Sequence, residues 1–83
     1  MLQVTVMSKI DCPLCDKGIE VIKPLAEEFQ FEIKVVDIYQ DDALLEKYQI
    51  MIPVVLINNE EVDFGILSRE KIRKRLLELN GQI

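Results

Sequence analysis

Ser8-Lys9-Ile10-Asp11-Cys12-Pro13-Leu14-Cys15 is the stretch on which the reading of this chain turns. It follows a run in which Leu2, Val4 and Val6 alternate with Gln3, Thr5 and Met7. It precedes one in which Ile19, Ile22, Leu25, Ala26 and Phe29 recur at helical spacing. Period two predicts a strand to about Ser8, and the second pattern predicts a helix from about Pro13 to Glu28, with Pro13 suited to its first turn. The two cysteines therefore stand where a strand hands over to a helix. Unpaired backbone N–H groups and the dipole at a helix N-terminus stabilise an anion, so Cys12 can ionise near neutral pH and act as a nucleophile. Cys15 returns to nearly the same face one turn inward, within reach of a mixed disulfide formed on Cys12. Cys12 is thus expected to be the exposed, attacking thiol and Cys15 the resolving one.

Working outward, Pro24 lies inside the helical pattern and removes a backbone donor, which predicts a kink or an early end near Lys23, with Gly18 loosening the segment further. Phe31, Ile33 and Val35 alternate with Glu32, Lys34 and Val36 in a second strand ending near Asp37. A strand, a helix and a strand in that order form a βαβ unit with parallel strands. Asp41-Asp42 open a short helix whose Leu44, Leu45 and Tyr48 face inward, ending by about Gln49. Pro53 to Ile57 and Glu60 to Phe64 read as antiparallel strands joined by Asn58-Asn59, residues that tolerate the positive φ angles of a tight hairpin. Gly65 breaks the strand, Ser68 is a candidate N-cap, and Ile72, Leu76 and Leu79 mark a last helix ending near Asn80-Gly81. The order β-α-β-α-β-β-α predicts an α/β fold with a four-stranded mixed sheet flanked by helices, and 83 residues predict one domain over residues 1–83.

Composition removes whole classes of function. Ten Lys plus Arg against fifteen Asp plus Glu give a net charge of -5, which repels nucleic-acid backbones. With no His, imidazole general acid–base chemistry and His-containing metal sites are absent. The longest apolar run, Ile50 to Ile57, is eight residues with a proline inside, against the roughly 20 that a membrane helix needs. The first residues carry no basic group before Lys9 and no small-residue cleavage site, so no secretory leader is expected and a cytoplasmic location is the default. Arg69, Lys71, Arg73, Lys74 and Arg75 crowd the last helix, but the Glu70 to Lys74 spacing reads as a solvated, paired face rather than a docking patch.

The Cys-x-x-Cys pair admits three readings. Half of a zinc site would need two further ligands, usually a second such pair or two His, and the chain has neither. A metal or iron–sulfur centre bridged between two copies, and an inert binding module, remain as alternatives to dithiol exchange. Exchange suits the placement best, and it predicts no metal and no organic cofactor. Pro53 cannot donate into a strand ladder and so opens its strand, in either isomer.

With these motifs in place the chain resembles the glutaredoxin-like branch of the thioredoxin-fold superfamily, from Leu2 to Leu79. Cys12-Pro13-Leu14-Cys15 is similar to that family's Cys-Pro-Tyr-Cys, Lys9 stands three residues before the first thiol, and Pro53-Val54-Val55-Leu56-Ile57-Asn58-Asn59 is similar to Pro-x-Val-Phe-Ile-Asn-Gly. The resemblance implies a thioredoxin-like fold and a cis bond at Ile52-Pro53. It implies thiol–disulfide exchange at Cys12 and Cys15, with Lys9 steadying the thiolate. By the same resemblance Pro13, Leu14, Ile52 and Pro53 line the substrate groove, and Phe64 is expected to lie near the dithiol face. The implied partners are a disulfide-bearing protein or small molecule, and glutathione or a reductase as electron donor; the protein is expected to be a monomer. Against glutathione stand four departures: Leu14 in place of Tyr, Met51 in place of Thr, Asp63-Phe64 in place of a Gly-Gly pair, and no carboxylate at Ile66 or Leu67, where the family's acidic pair would fall.

Overall fold

The computed structural model describes residues 2–80. Its elements, in chain order, are β1 (Val4–Ser8), α1 (Pro13–Phe29), β2 (Ile33–Asp37), a 3-10 turn (Ile38–Gln40), α2 (Asp42–Tyr48), β3 (Val54–Ile57), β4 (Glu60–Phe64) and α3 (Arg69–Asn80). The strands form one sheet in the order β2-β1-β3-β4. β1 runs parallel to β2 and antiparallel to β3, and β3 is antiparallel to β4, so the sheet is mixed as expected. Asn58 and Asn59 turn the hairpin at φ of 52° and 68°, the left-handed region that asparagine tolerates best among residues with a side chain. Val62 is the extra residue of a bulge, since Val55 pairs with Asp63 and Leu56 with Glu61.

Two apolar layers hold the sheet. On one face Val4, Val6, Val55 and Ile57 meet Ile22 and Leu25 of α1 and Ile72 and Leu76 of α3. On the other, Val54 and Leu56 meet Ile38 and Tyr48, with Met7, Leu44, Leu45, Met51 and Ile52 packed around them. Burial of each such Ile, Leu or Val side chain contributes roughly 1.5–3 kcal/mol. β3 is buried at every position because helices cover both faces of this central strand. Met7, which the alternation of β1 assigns to the outer face, is half-buried for the same reason: α2 covers that face.

Three local expectations need correction. The first helix does not end near Lys23; α1 runs on through Pro24 to Phe29. Pro24 and Glu20, whose carbonyl loses its i+4 donor, both lie on the exposed side, where water can serve that carbonyl, while Ile22 and Leu25 anchor the opposite side. The second strand begins at Ile33, with Phe31 left in the connection, and the third begins at Val54 instead of Pro53. A 3-10 turn over Ile38–Gln40, capped by the Asp37 carboxylate accepting from the Tyr39 N–H at 2.9 Å, was not apparent from periodicity. Helix α2 is capped by Asp41, which accepts from Ala43 and Leu44, and Ser68 caps α3 by accepting from the Lys71 N–H at 3.2 Å. The expected stop at Asn80-Gly81 lies outside the described residues at Gly81.

Candidate active site

β1 delivers the chain to one end of the sheet at Ser8, and residues 9–11 lead it into α1. Asp11 takes a left-handed φ of 59° there, which Asp tolerates through local polar contacts. Cys12 is the N-cap of α1, extended at φ -117° and ψ 96°, and Pro13 takes the first helical position, where a missing N–H is harmless. The Cys15 N–H donates to the Cys12 sulfur at 3.1 Å, and the Asp16 N–H donates to the Cys12 carbonyl at 3.0 Å. Sulfur thus takes the capping role that a Ser or Asp oxygen ordinarily fills.

Cys12 and Cys15 are joined as a disulfide with their Cα atoms 5.2 Å apart, inside the span a disulfide bridges. Cys12 is more accessible than its partner, at 7% against 0%, yet it is largely covered and not openly exposed as the sequence suggested. Its position as an N-cap, turned in over the helix end, accounts for the difference. Leu14, between the two, is 41% exposed, and Pro13 is exposed beside it.

Two other segments reach the same end. The Ile52-Pro53 bond is cis, and Pro53 is fully buried. Met51 and Ile52 both donate their N–H to the Tyr48 carbonyl, at 2.8 and 3.2 Å, tying this turn to the end of α2. Phe64 ends β4 opposite Val54, and the following Gly65 N–H donates to the Pro53 carbonyl at 2.9 Å and to the Met51 carbonyl at 3.2 Å. Gly65 sits at φ 74°, a conformation open to glycine at little cost. The structure thus brings Cys12, Pro13, Leu14, Cys15, Ile52, Pro53 and Phe64 to one end of the sheet. Lys9 lies on the β2 side of this end, where it lines a cleft of about 300 Å³ with Ile10, Asp37 and Tyr39; among the described residues it forms no ion pair.

Several features of this end were missed in the sequence. Ile10 and Ile66 are 75% and 85% exposed, on the loops before α1 and after β4. Together with Leu14, Tyr39, Ile50 and Phe64 they make six of the eight large hydrophobic residues that are exposed among the described residues. Leu14, Phe64 and Ile66 lie on the segments that meet at the dithiol end, and Ile10 and Tyr39 line the cleft beside Lys9. The Asp63 carboxylate braces the loop that carries Phe64 and Ile66, accepting from the Phe64 N–H at 3.0 Å and the Ser68 N–H at 2.8 Å, with the Lys71 ammonium 3.6 Å away. Gly18, read from the sequence as a weak point of α1, is buried against Pro53 and Leu67. Only the apolar character of Ile10 and Ile66 next to turn residues could have signalled any of this.

A cleft of about 720 Å³ lies at the other end of the sheet, beside Leu2, Ala26, Gln30 and Phe31, and no thiol lines it. No three His, Cys, Asp or Glu side chains among the described residues are grouped to hold a metal ion. No helix among them is long and apolar enough to cross a membrane. The basic side chains of α3 are largely matched: Lys71 by Asp63, Arg73 by Glu28 and Arg75 by Glu60.

The sequence pattern of the Glutaredoxin-like domain (DUF836) matches residues 3–77. The solution structure of a protein from Nitrosomonas europaea superposes with a TM-score of 0.80 at 24% identity, covering 89% of this chain and 89% of that one. The X-ray structure of a protein from X. campestris gives 0.72 at 26% identity, over 88% of this chain and 93% of that one. A mutant thioredoxin from Halobacterium salinarum gives 0.68 at 17% identity, over 93% of this chain and 73% of that one. The fold is thioredoxin-like.

Proposed function

The chain belongs to the glutaredoxin-like domain family, and from that membership and the dithiol at the head of α1 we propose that it is a thiol–disulfide oxidoreductase. The observation that carries the proposal is the Cys12–Cys15 pair at the N-terminus of α1, with the Cys15 N–H directed at the Cys12 sulfur. In the reduced protein that N–H and the helix end stabilise a thiolate on Cys12. The thiolate attacks one sulfur of a substrate disulfide; the other sulfur leaves as a thiolate and takes up a proton. Cys15, having lost its own proton to solvent, attacks the Cys12 sulfur of the mixed disulfide. The second substrate thiol is released, and the Cys12–Cys15 disulfide remains. Two electrons have passed from the protein to the substrate, and a dithiol donor or a reductase restores the starting state.

The exposed apolar side chains at the dithiol end support a polypeptide disulfide as substrate over a small charged one. The charges nearest the dithiol in sequence, Lys9 and Lys17 against Asp11 and Asp16, cancel. Pro13, Leu14, Ile52 and Phe64 form the groove in this reading, with the buried Pro53 ring setting its floor from beneath, and Lys9 steadies the thiolate from the β2 side. Glutathione enters this reading only as electron donor, and the reaction needs no metal and no organic cofactor.

The test is to equilibrate the protein in glutathione buffers of graded ratio, quench with acid and read the cysteine state by mass. The expected result is an intramolecular disulfide titrating at about -200 to -270 mV. Cys12→Ser should abolish reduction of insulin disulfides, and Cys15→Ser should accumulate a mixed disulfide with the substrate. Full activity in Cys12→Ser would sink the assignment, and thiols that stay reduced in strongly oxidising buffer would leave a binding module in its place.

A further inference from the structure

We propose that Gly18 is a positioning residue of the dithiol reaction: by presenting bare backbone to Pro53 and Leu67, it sets how closely the Pro53 turn and the 64–68 loop approach Cys12 and Cys15. The proposal rests on the oxidoreductase reading above. Gly18 lies in α1, three residues after Cys15 and on the same face. A Cβ added at Gly18 would stand 2.7 Å from Leu67 Cδ1, 3.3 Å from Leu67 Cγ and 3.0 Å from Pro53 Cγ. Neighbouring atoms would have to move for any other residue to fit. The two contacts differ in kind. Leu67 Cδ1 is the far end of a flexible side chain and can rotate away, whereas Pro53 Cγ belongs to a rigid, fully buried ring.

Glycine is the costliest residue in a helix interior after proline, and α1 carries one at a buried position in its second turn. Close approach explains that choice. Pro53 is in turn joined to the loop after β4 by the Gly65 N–H, 2.9 Å from its carbonyl. Pushing Pro53 off α1 therefore moves the groove floor and the loop bearing Phe64 and Ile66 together, while Cys12 and Cys15 stay fixed at the helix end. A shift of a few tenths of an ångström at a groove that orients a polypeptide disulfide should lower kcat/KM for that substrate about tenfold, given that misplacement by about 1 Å costs roughly a hundredfold.

The experiment compares wild type, Gly18→Ala, Leu67→Val and the double variant, with dithiothreitol as electron source. Each is assayed by turnover of dye-labelled insulin and, after pre-reduction and removal of dithiothreitol, by single-turnover reduction of 5,5′-dithiobis(2-nitrobenzoate), and each is melted. The expected result for Gly18→Ala is an insulin kcat/KM about tenfold lower, expressed in KM, with the small disulfide reduced within about twofold of wild type. Leu67→Val in the Gly18→Ala background removes the 2.7 Å contact and leaves the one to Pro53. It should restore Tm without restoring insulin KM, which a merely structural role would not produce. Recovery of insulin kcat/KM together with Tm in the double variant overturns the proposal. So does a Gly18→Ala protein with wild-type kinetics on both substrates. Wild-type protein inert toward both disulfides would bring down the oxidoreductase reading itself, and this proposal with it.

Discussion

Replacing Asp63 by Ala tests whether the loop facing the dithiol is braced by a single carboxylate. The side chain is only 10% exposed and accepts from two backbone N–H groups, those of Phe64 at 3.0 Å and Ser68 at 2.8 Å, the second at the entry to α3. Hydrogen bonds to a charged acceptor contribute about 1.5–3 kcal/mol each, but both donors belong to exposed residues and can turn to water once the carboxylate is gone. About 1 kcal/mol each is therefore the reasonable figure. Lys71, 62% exposed and 3.6 Å away, adds less than about 1 kcal/mol. The sum, roughly 2 kcal/mol, should lower Tm by about 8–16 °C in a domain of this size. With m near 1 kcal/mol/M, the urea midpoint should fall by about 2 M. Asp63→Asn keeps one carbonyl acceptor and should lose about half as much. Because the Gly65 N–H ties this loop to Pro53, the Asp63→Ala protein should also reduce insulin more slowly at temperatures where it remains folded. Thermal and urea melts monitored by far-UV circular dichroism decide the matter. An Asp63→Ala midpoint within about 3 °C of wild type would refute the reasoning, since it would mean that water replaces both bonds without loss.

Two further outcomes follow from other parts of the molecule. Arg73 donates to Glu28 from Nε at 3.1 Å and from Nη2 at 2.6 Å, and this hydrogen bonding, aided by the guanidinium charges of Arg73 and Arg69, holds the Glu28 carboxyl below the ordinary glutamate range. A depressed folded-state pKa gives stability that is present above the unfolded value and is lost as pH falls through the folded one. Glu28→Gln should therefore flatten the acid limb of Tm against pH, and an unchanged limb would show that the pair contributes nothing. At the dithiol end, Phe64→Ser and Ile66→Ser remove side chains that are 57% and 85% exposed, so Tm should move little while KM for labelled insulin rises several-fold; an unchanged KM would remove this loop from the substrate surface.

Much of the fold was legible because each element announces itself over a few residues. The alternation of Val4 and Val6, the helical recurrence of Ile22 and Leu25, the acidic start of α2 and the Asn58-Asn59 turn each predicted the element found there. Cys12-Pro13-Leu14-Cys15 likewise put the dithiol at a helix N-terminus by its position in the chain alone. Pro24 and Gly18 were misread for one shared reason. Propensity counts both as weaknesses of a helix, but Pro24 lies on the solvent side, where its missing donor costs little, and Gly18 lies where a second segment presses against the helix. Alternation separates the two faces of β1 without saying whether both are covered, and the half-buried Met7 shows that both are. The sequence by itself determined the order of the elements, the place of the two thiols and the family to which the chain belongs. The tertiary structure alone decided what meets at the dithiol end of the sheet: Pro53 and Leu67 against Gly18, Gly65 bonded to Pro53, Asp63 bracing the loop, and Ile10, Phe64 and Ile66 left exposed. These are contacts between segments tens of residues apart, set by distances of a few ångströms, and a pattern that repeats over two or four residues carries no record of them.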